Sequence, residues 1–190
     1  MKKHLRITDI TLPAVFAALM CILAPLSVPV GAVPVSLATF CVYIAAQTLG
    51  AKRGGAAVLC YVAIGAAGLP VFSGFTGGAA WIAGMTGGFI VGYIPCALIC
   101  GFLAGRVIEC RFKNHIVNTA LLTIPALCGA IACYICGISW YMIMSGSGIV
   151  GAVTVCVLPF ILPELLKIVC ASAVAYILRL RLASLSQKNK

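Results

Sequence analysis

An all-α integral membrane protein of six transmembrane helices is the fold class this sequence predicts, and three observations predict it. Hydrophobic residues fill 63% of the 190 positions and charged residues 8%, with a mean hydropathy of +1.18. A soluble domain of this length cannot bury so much apolar surface, whereas a polytopic membrane protein presents it to lipid. The 20 glycines and 9 prolines agree, both being more frequent in membrane helices than in soluble ones. The basic residues, finally, fall in short clusters between apolar runs, and at roughly 20 residues per span plus short loops the chain holds about six crossings.

In chain order the runs read as spans at 10–30, 32–50, 55–72, 81–105, 116–140 and 149–182, within a single domain over residues 1–190. The first run leads directly into others without a small-x-small cleavage site, and is therefore read as a span and not as a signal peptide. Pro29 to Pro34 separate the first two runs, Gly50 to Gly55 follow the second, and Gly68 to Gly78 follow the third. The last run is longer than a bilayer needs. Its Pro159 and Pro163 predict an irregular entry, with a regular helix from near Glu164.

Charge placement sets the orientation. Lys2, Lys3 and Arg6 precede the first span, Lys52 and Arg53 follow the second, Arg106, Arg111 and Lys113 follow the fourth, and Arg179, Arg181, Lys188 and Lys190 close the chain. With six spans all twelve lie on one side, and the opposite loops near 28–34, 70–80 and 141–150 carry no Lys or Arg. Both termini are therefore expected in the cytoplasm.

The net charge of +10 does not point to nucleic acid, because the basic residues form neither a stripe nor a basic domain of their own. The 11 cysteines lie mostly inside apolar runs, where a free thiol behaves as a small hydrophobe; Cys133-Tyr134-Ile135-Cys136 has no second pair or His near it, so no metal site is expected. His4 and His115 fall in the cytoplasmic clusters. Asp9 and Glu109 are on the cytoplasmic side as well, leaving no triad or paired carboxylates from which to assemble an enzyme. A nucleotide-binding motif is equally absent, so neither catalysis nor ATP hydrolysis is expected of this chain.

One pair stands apart. Glu164 and Lys167 sit in the outer half of the final span, one helical turn apart on the same face. Ionisable groups at membrane depth are costly and mark ligand or ion sites by default. The alternative is a pair that neutralises itself and locks the helix. Around it, the outer loops are rich in Gly, Ser, Thr and aromatics, from Gly68 through Phe75 and Thr76 to Gly78 and again over Met144 to Gly148, as expected of a mouth above a pocket. Gly84-Met85-Thr86-Gly87-Gly88-Phe89 opens the fourth span and reads either as glycine packing or as backbone approaching a ligand, with Thr86 offering a hydrogen bond. Trp140 and Tyr141 end the fifth span, where aromatics anchor to the interface or wall a ligand. Ala14-x-x-x-Ala18 in the first span is a small-xxx-small motif that permits close helix approach.

Taken together, several stretches resemble the BioY family, the biotin-binding S components of energy-coupling factor (ECF) transporters. They are Val33-Pro34-Val35-Ser36-Leu37, Leu49-Gly50-Ala51-Lys52-Arg53-Gly54, Tyr61 with Gly65-Ala66 and Gly68-Leu69-Pro70-Val71-Phe72, Thr86-Gly87-Gly88, and Pro159-Phe160 through Glu164-x-x-Lys167. They keep the family's order and spacing over about residues 8–182. The resemblance implies a six-helix S-component bundle in the cytoplasmic membrane that captures biotin as transported ligand, without a cofactor. It also implies docking, through Ala14 and Ala18, on a transmembrane coupling subunit driven by two cytoplasmic ATPases. For biotin, the expected site assigns Glu164 to the ureido N–H groups and Lys167 to an acceptor oxygen of the ureido group or carboxylate. Thr86, Gly87 and Thr76 would lie beside them, with Trp140 and Phe75 as a wall. The chain departs from the common family pattern in having Glu164 for Asp, Met85 for Pro, Phe89 for Tyr and Ala38 for Gln. An S component for a different small vitamin or organic acid, or a secondary transporter independent of ATPases, remains the alternative.

Overall fold

The computed structural model describes residues 8–30, 33–109 and 115–188. Helix α1 (Thr8–Leu23) is followed by a short antiparallel hairpin of β1 (Ser27–Val30) and β2 (Val33–Ser36), then by α2 (Ala38–Ala66), the short α3 (Ala79–Ala83), α4 (Gly87–Glu109), α5 (His115–Ser145) and α6 (Ile149–Cys156). A single 3-10 turn at Leu158–Phe160 leads into α7 (Ile161–Lys188). Three helical stretches, Gly87–Val107, His115–Ser145 and Ile149–Leu182, are long and apolar enough to cross a membrane, and Asp9–Leu23 is a shorter apolar helix. Lys2, Lys3, His4, Arg6, Arg111, Lys113 and Lys190 lie outside the described residues.

The second and third apolar runs are not separated by a loop over 50–55, as the glycines there predicted. They meet at one residue. Gly50 has φ 79° and ψ 176°, a conformation open only to glycine, and the helix resumes at once at Ala51. In an unbroken helix Ala46 and Gly54 would be about 12 Å apart. Instead, a Cβ placed on Gly54 would lie 2.8 Å from the Ala46 Cα, so the arms 38–49 and 51–66 fold back on each other. The corner then packs on α4, whose Gly101 faces the backbone of Ala51. Asp9 at the start of α1 pairs with Arg53 just past the corner, and α7 brings Arg179 beside Cys100 of α4. The helix ends that carry Arg53 and Arg179 therefore gather at one end of the bundle.

At the opposite end, the chain is more ordered than its glycine content predicts. The third run stops being helical at Ala66, short of residue 72. Its continuation is held by Tyr61 Oη donating to the Val71 carbonyl (3.0 Å), by the Phe72–Thr76 backbone pairing and by Gly74 N–H donating to the Pro25 carbonyl (3.0 Å). The hairpin pairs Ser27 with Ser36 and Pro29 with Pro34. The hairpin covers the boundary expected at Pro29 to Pro34 and extends past it on both sides, into the ends of the first two predicted spans. The irregular entry expected in the last run is present as the 3-10 turn, although the regular helix begins three residues earlier than Glu164.

The core forms where α4 packs on α5 and on α2, with α1 and α7 flanking α2. Its largest fully buried side chains include Tyr43, Tyr61, Met20, Leu122 and Gln47. Gln47 is polar, yet its Nε2 donates to the Leu122 carbonyl (2.8 Å) and to Ser172 Oγ (3.1 Å), which joins α2, α5 and α7.

Candidate functional site: a buried ion pair between α2 and α7

The site is built on two helix faces and one strand. Along the first arm of α2, Thr39, Tyr43 and Gln47 recur every fourth residue and so share one face. The first turns of α7 set Glu164 and Lys167 against that face, while Ile168, Ala171 and Ser172 pack below them. Strand β2 ends beside both at Ser36.

Lys167 Nζ lies 2.7 Å from Glu164 Oε2, and the two side chains retain only 11% and 8% of their exposure. Every polar atom of the pair is engaged. Lys167 Nζ also donates to Thr39 Oγ1 (2.9 Å) and to the backbone carbonyl of Ser36 (3.1 Å). Glu164 Oε1 accepts from Tyr43 Oη at 2.6 Å, and Oε2 accepts from Thr39 Oγ1 at 3.3 Å. A buried pair is tolerable only when further hydrogen bonds replace lost hydration, which these three residues provide.

A cavity opens over the pair, walled by Phe89, Tyr93, Tyr134 and Phe160 with Val33 and Pro34 of β2. A second, larger cavity adjoins it, sharing Val33, Pro34, Phe89 and Tyr93, and reaches Thr76, Trp81 and Thr86. Aromatic walls with a few convergent polar groups are the usual makeup of a small-molecule site.

The sequence-derived site residues separate into three groups. Glu164 and Lys167 form the polar floor of the first cavity, and Thr86 and Thr76 line the second. Gly87 belongs to neither: a Cβ there would run into the Ile82 carbonyl, so this glycine permits the tight passage from α3 to α4. Trp140 and Phe75, expected as a wall, line neither cavity. Trp140 Nε1 donates to the Gly84 carbonyl (2.9 Å) and its Cβ packs on Gly88, pinning the start of α4 to α5, while Phe75 is 65% exposed at φ 59° on the loop surface. The walls are instead Phe89, Tyr93, Tyr134 and Phe160.

Sequence reasoning missed Ser36, Thr39 and Tyr43 as site residues. Thr39 and Tyr43 had a signal, since with Gln47 they form a polar stripe at helical spacing in an apolar run. Ser36 contributes a backbone carbonyl and had none. Among the described residues no cluster of three metal-ligating side chains occurs.

A bundle of apolar helices enclosing a neutralised ion pair and an aromatic-walled cavity defines a membrane protein that binds a small molecule. Comparison with known proteins narrows the class. The model of the BioY family matches residues 1–184, and the chain belongs to that family. It is 35% identical over 167 residues to the probable biotin transporter BioY of Pyrococcus horikoshii, covering 88% of this chain and 93% of that protein. To the biotin transporter BioY of Rhodobacter capsulatus it is 34% identical over 177 residues, covering 88% and 90%. The crystal structure of the S-component for biotin from an ECF-type ABC transporter superposes with a TM-score of 0.81 at 25% identity over 94% of each chain.

Proposed function

We propose that this protein captures biotin at the outer face of the cell membrane and delivers it inward as the substrate-binding subunit of an ECF transporter. The Glu164–Lys167 pair at the floor of an aromatic-walled cavity carries this reading, because it combines an acceptor and a polarised donor set with walls that suit a fused, sulfur-containing ring. Membership of the BioY family and the likeness to a biotin S-component support biotin as that molecule.

The arrangement in the membrane follows from the same elements. Six crossings are supplied by α1, the two arms of α2, α4, α5 and α7 with its lead-in α6. The gathering of Asp9, Arg53 and Arg179 at the end of the bundle that holds the Gly50 corner supports a cytoplasmic location for that end and for both termini. The cavities, adjoining the hairpin and the loop at 72–76, then face outward. Ala14 and Ala18 are exposed on α1 in a row with Val15, Leu19 and Ile22, which leaves a smooth, small-residue stripe for the transmembrane coupling subunit. Two cytoplasmic ATPase subunits supply the energy, as the chain has no nucleotide-binding motif.

Calorimetric titration of the detergent-solubilised protein with biotin tests the capture step. Nanomolar binding that disappears in Lys167→Ala is the expected result. Folded wild-type protein that does not bind biotin would refute the assignment.

A further inference from the structure

The outer side of α4 ends in a cation that no described protein group takes up. Val91, Leu98, Ile99, Phe102, Gly105 and Arg106 are the exposed positions between 91 and 106, and their helical spacing puts them in one stripe. Only the last has a polar side chain. The stretch Gly87–Val107 is long and apolar enough to cross a membrane, so Arg106 stands at the edge of the hydrocarbon. It lies at the end of the bundle that holds Arg53 and Arg179, because Cys100 and Gly101, one to two turns earlier in α4, already face Arg179 and the Gly50 corner.

The Arg106 guanidinium lies over the ring of Phe102, one turn back along the helix and 57% exposed, at 5.2 Å from the centroid. A cation–π contact engages the charge and leaves the five N–H donors of the fork unspent. Among the described residues none accepts a hydrogen bond from them, and the described carboxylates of Asp9 and Glu164 are paired with Arg53 and Lys167. Space beside the cation is open as well: a Cβ placed on Gly105 would meet no atom within 4 Å. Exposed Lys52, next to the Ala51 on which Gly101 packs, adds a second positive charge at this end.

The complementary ligand has a negative head with several acceptor oxygens and a hydrocarbon tail joined directly to it. We infer that Phe102 and Arg106 form a binding site for an anionic phospholipid of the leaflet at this end. The fork of Arg106 takes the phosphate, for which its planar donors are suited, and an acyl chain lies along Ile99 and Leu98. About 12 Å of helix separates Leu98 from Arg106, within the roughly 15 Å of hydrocarbon that one leaflet supplies. Phe102 is the positioning residue, since it holds the guanidinium at headgroup depth. A free anion would match the head alone, and a carboxylate of a partner protein would leave the apolar stripe above it unexplained. Because α4 packs on both α2 and α5, a lipid held here anchors the depth of the whole bundle, whatever molecule the cavity binds.

Native mass spectrometry of the full-length protein in a neutral detergent, titrated with phosphatidylglycerol, tests the site. One phosphatidylglycerol is expected to bind more tightly than those that follow. Arg106→Gln should weaken that first binding by about tenfold and Phe102→Leu by about threefold, whereas Phe102→Trp, which keeps the cation–π contact, should match the wild type. All three variants should melt with the wild type, since these side chains lie on the outside. Millimolar inorganic phosphate should not displace the lipid. Arg106→Gln binding phosphatidylglycerol like the wild type overturns the proposal, as does an equal loss in Arg181→Gln, which would mark diffuse attraction to a basic end. Displacement by inorganic phosphate would assign the site to a free anion. Intact lipid binding with lost co-purification of the coupling subunit in Arg106→Gln would assign it to that protein, and either result overturns the lipid site.

Discussion

Tyr43 Oη donates to Glu164 Oε1 across 2.6 Å, joining two residues 121 positions apart in the chain. The bond is short because its acceptor is ionised, and both partners are buried, so it works where water does not compete. It fixes the rotamer of the carboxylate that the cavity presents.

Tyr43→Phe keeps the ring in the core and removes only this donor. Biotin affinity is expected to fall by about tenfold or more, with a small loss of thermal stability. Isothermal titration together with a melting curve in the same detergent separates the two effects. Unchanged affinity would show that Glu164 is oriented without Tyr43.

The ion pair should behave asymmetrically on mutation. Lys167→Met leaves Glu164 charged and unpaired in a cavity, which costs roughly 3–5 kcal/mol of stability. Adding Glu164→Leu to that variant should recover most of the melting temperature while biotin binding stays lost. A double variant no more stable than the single one would mean that the pair also holds the β2–α7 junction by a route other than charge.

Gln47→Leu separates structure from recognition along the same stripe. It removes the hydrogen bonds to the Leu122 carbonyl and Ser172, below the cavity on the same helices, and should cost about 1–3 kcal/mol. Biotin affinity should stay within about twofold, because Gln47 lines neither cavity. Chemical denaturation and titration of one preparation check both halves.

Gly50→Ala should destabilise although nothing lies within 4 Å of the added methyl group. The penalty is conformational, about 1–3 kcal/mol for a backbone at φ 79° and ψ 176°. A melting temperature equal to that of the wild type would mean that the corner has another conformation available.

Enlarging the stripe on α1 with Ala14→Leu and Ala18→Leu should abolish co-purification with the coupling subunit and uptake in cells, with biotin binding by the isolated protein unchanged. Retained uptake would place the docking surface elsewhere.

How far the sequence revealed this arrangement differs by residue. Glu164 and Lys167 were visible because charge inside an apolar run has few explanations. Thr39 and Tyr43 were not, because a hydroxyl in a membrane helix can satisfy itself locally, and only their shared spacing with Gln47 marks them. The hairpin was hidden by its prolines, although Ser27-Val28-Pro29-Val30 and Val33-Pro34-Val35-Ser36 are mirror images about Gly31-Ala32, a strand–turn–strand pattern. Trp140 misled for a different reason. Aromatics at a span's end serve as anchors, walls or helix fasteners, and only the Gly84 carbonyl and the space left at Gly88 decide for the last.

The corner at Gly50 bears on how the protein reaches the membrane at all. Its first arm, residues 38–49, is about 18 Å long, well short of a hydrocarbon core about 30 Å thick, and it carries Thr39, Tyr43 and Gln47. Such a segment is a poor candidate for insertion by itself. With no loop between them, the two arms are expected to enter as one folded unit, after the ribosome has released both. The single-residue turn thus ties the birth of the binding face to the helix that follows it.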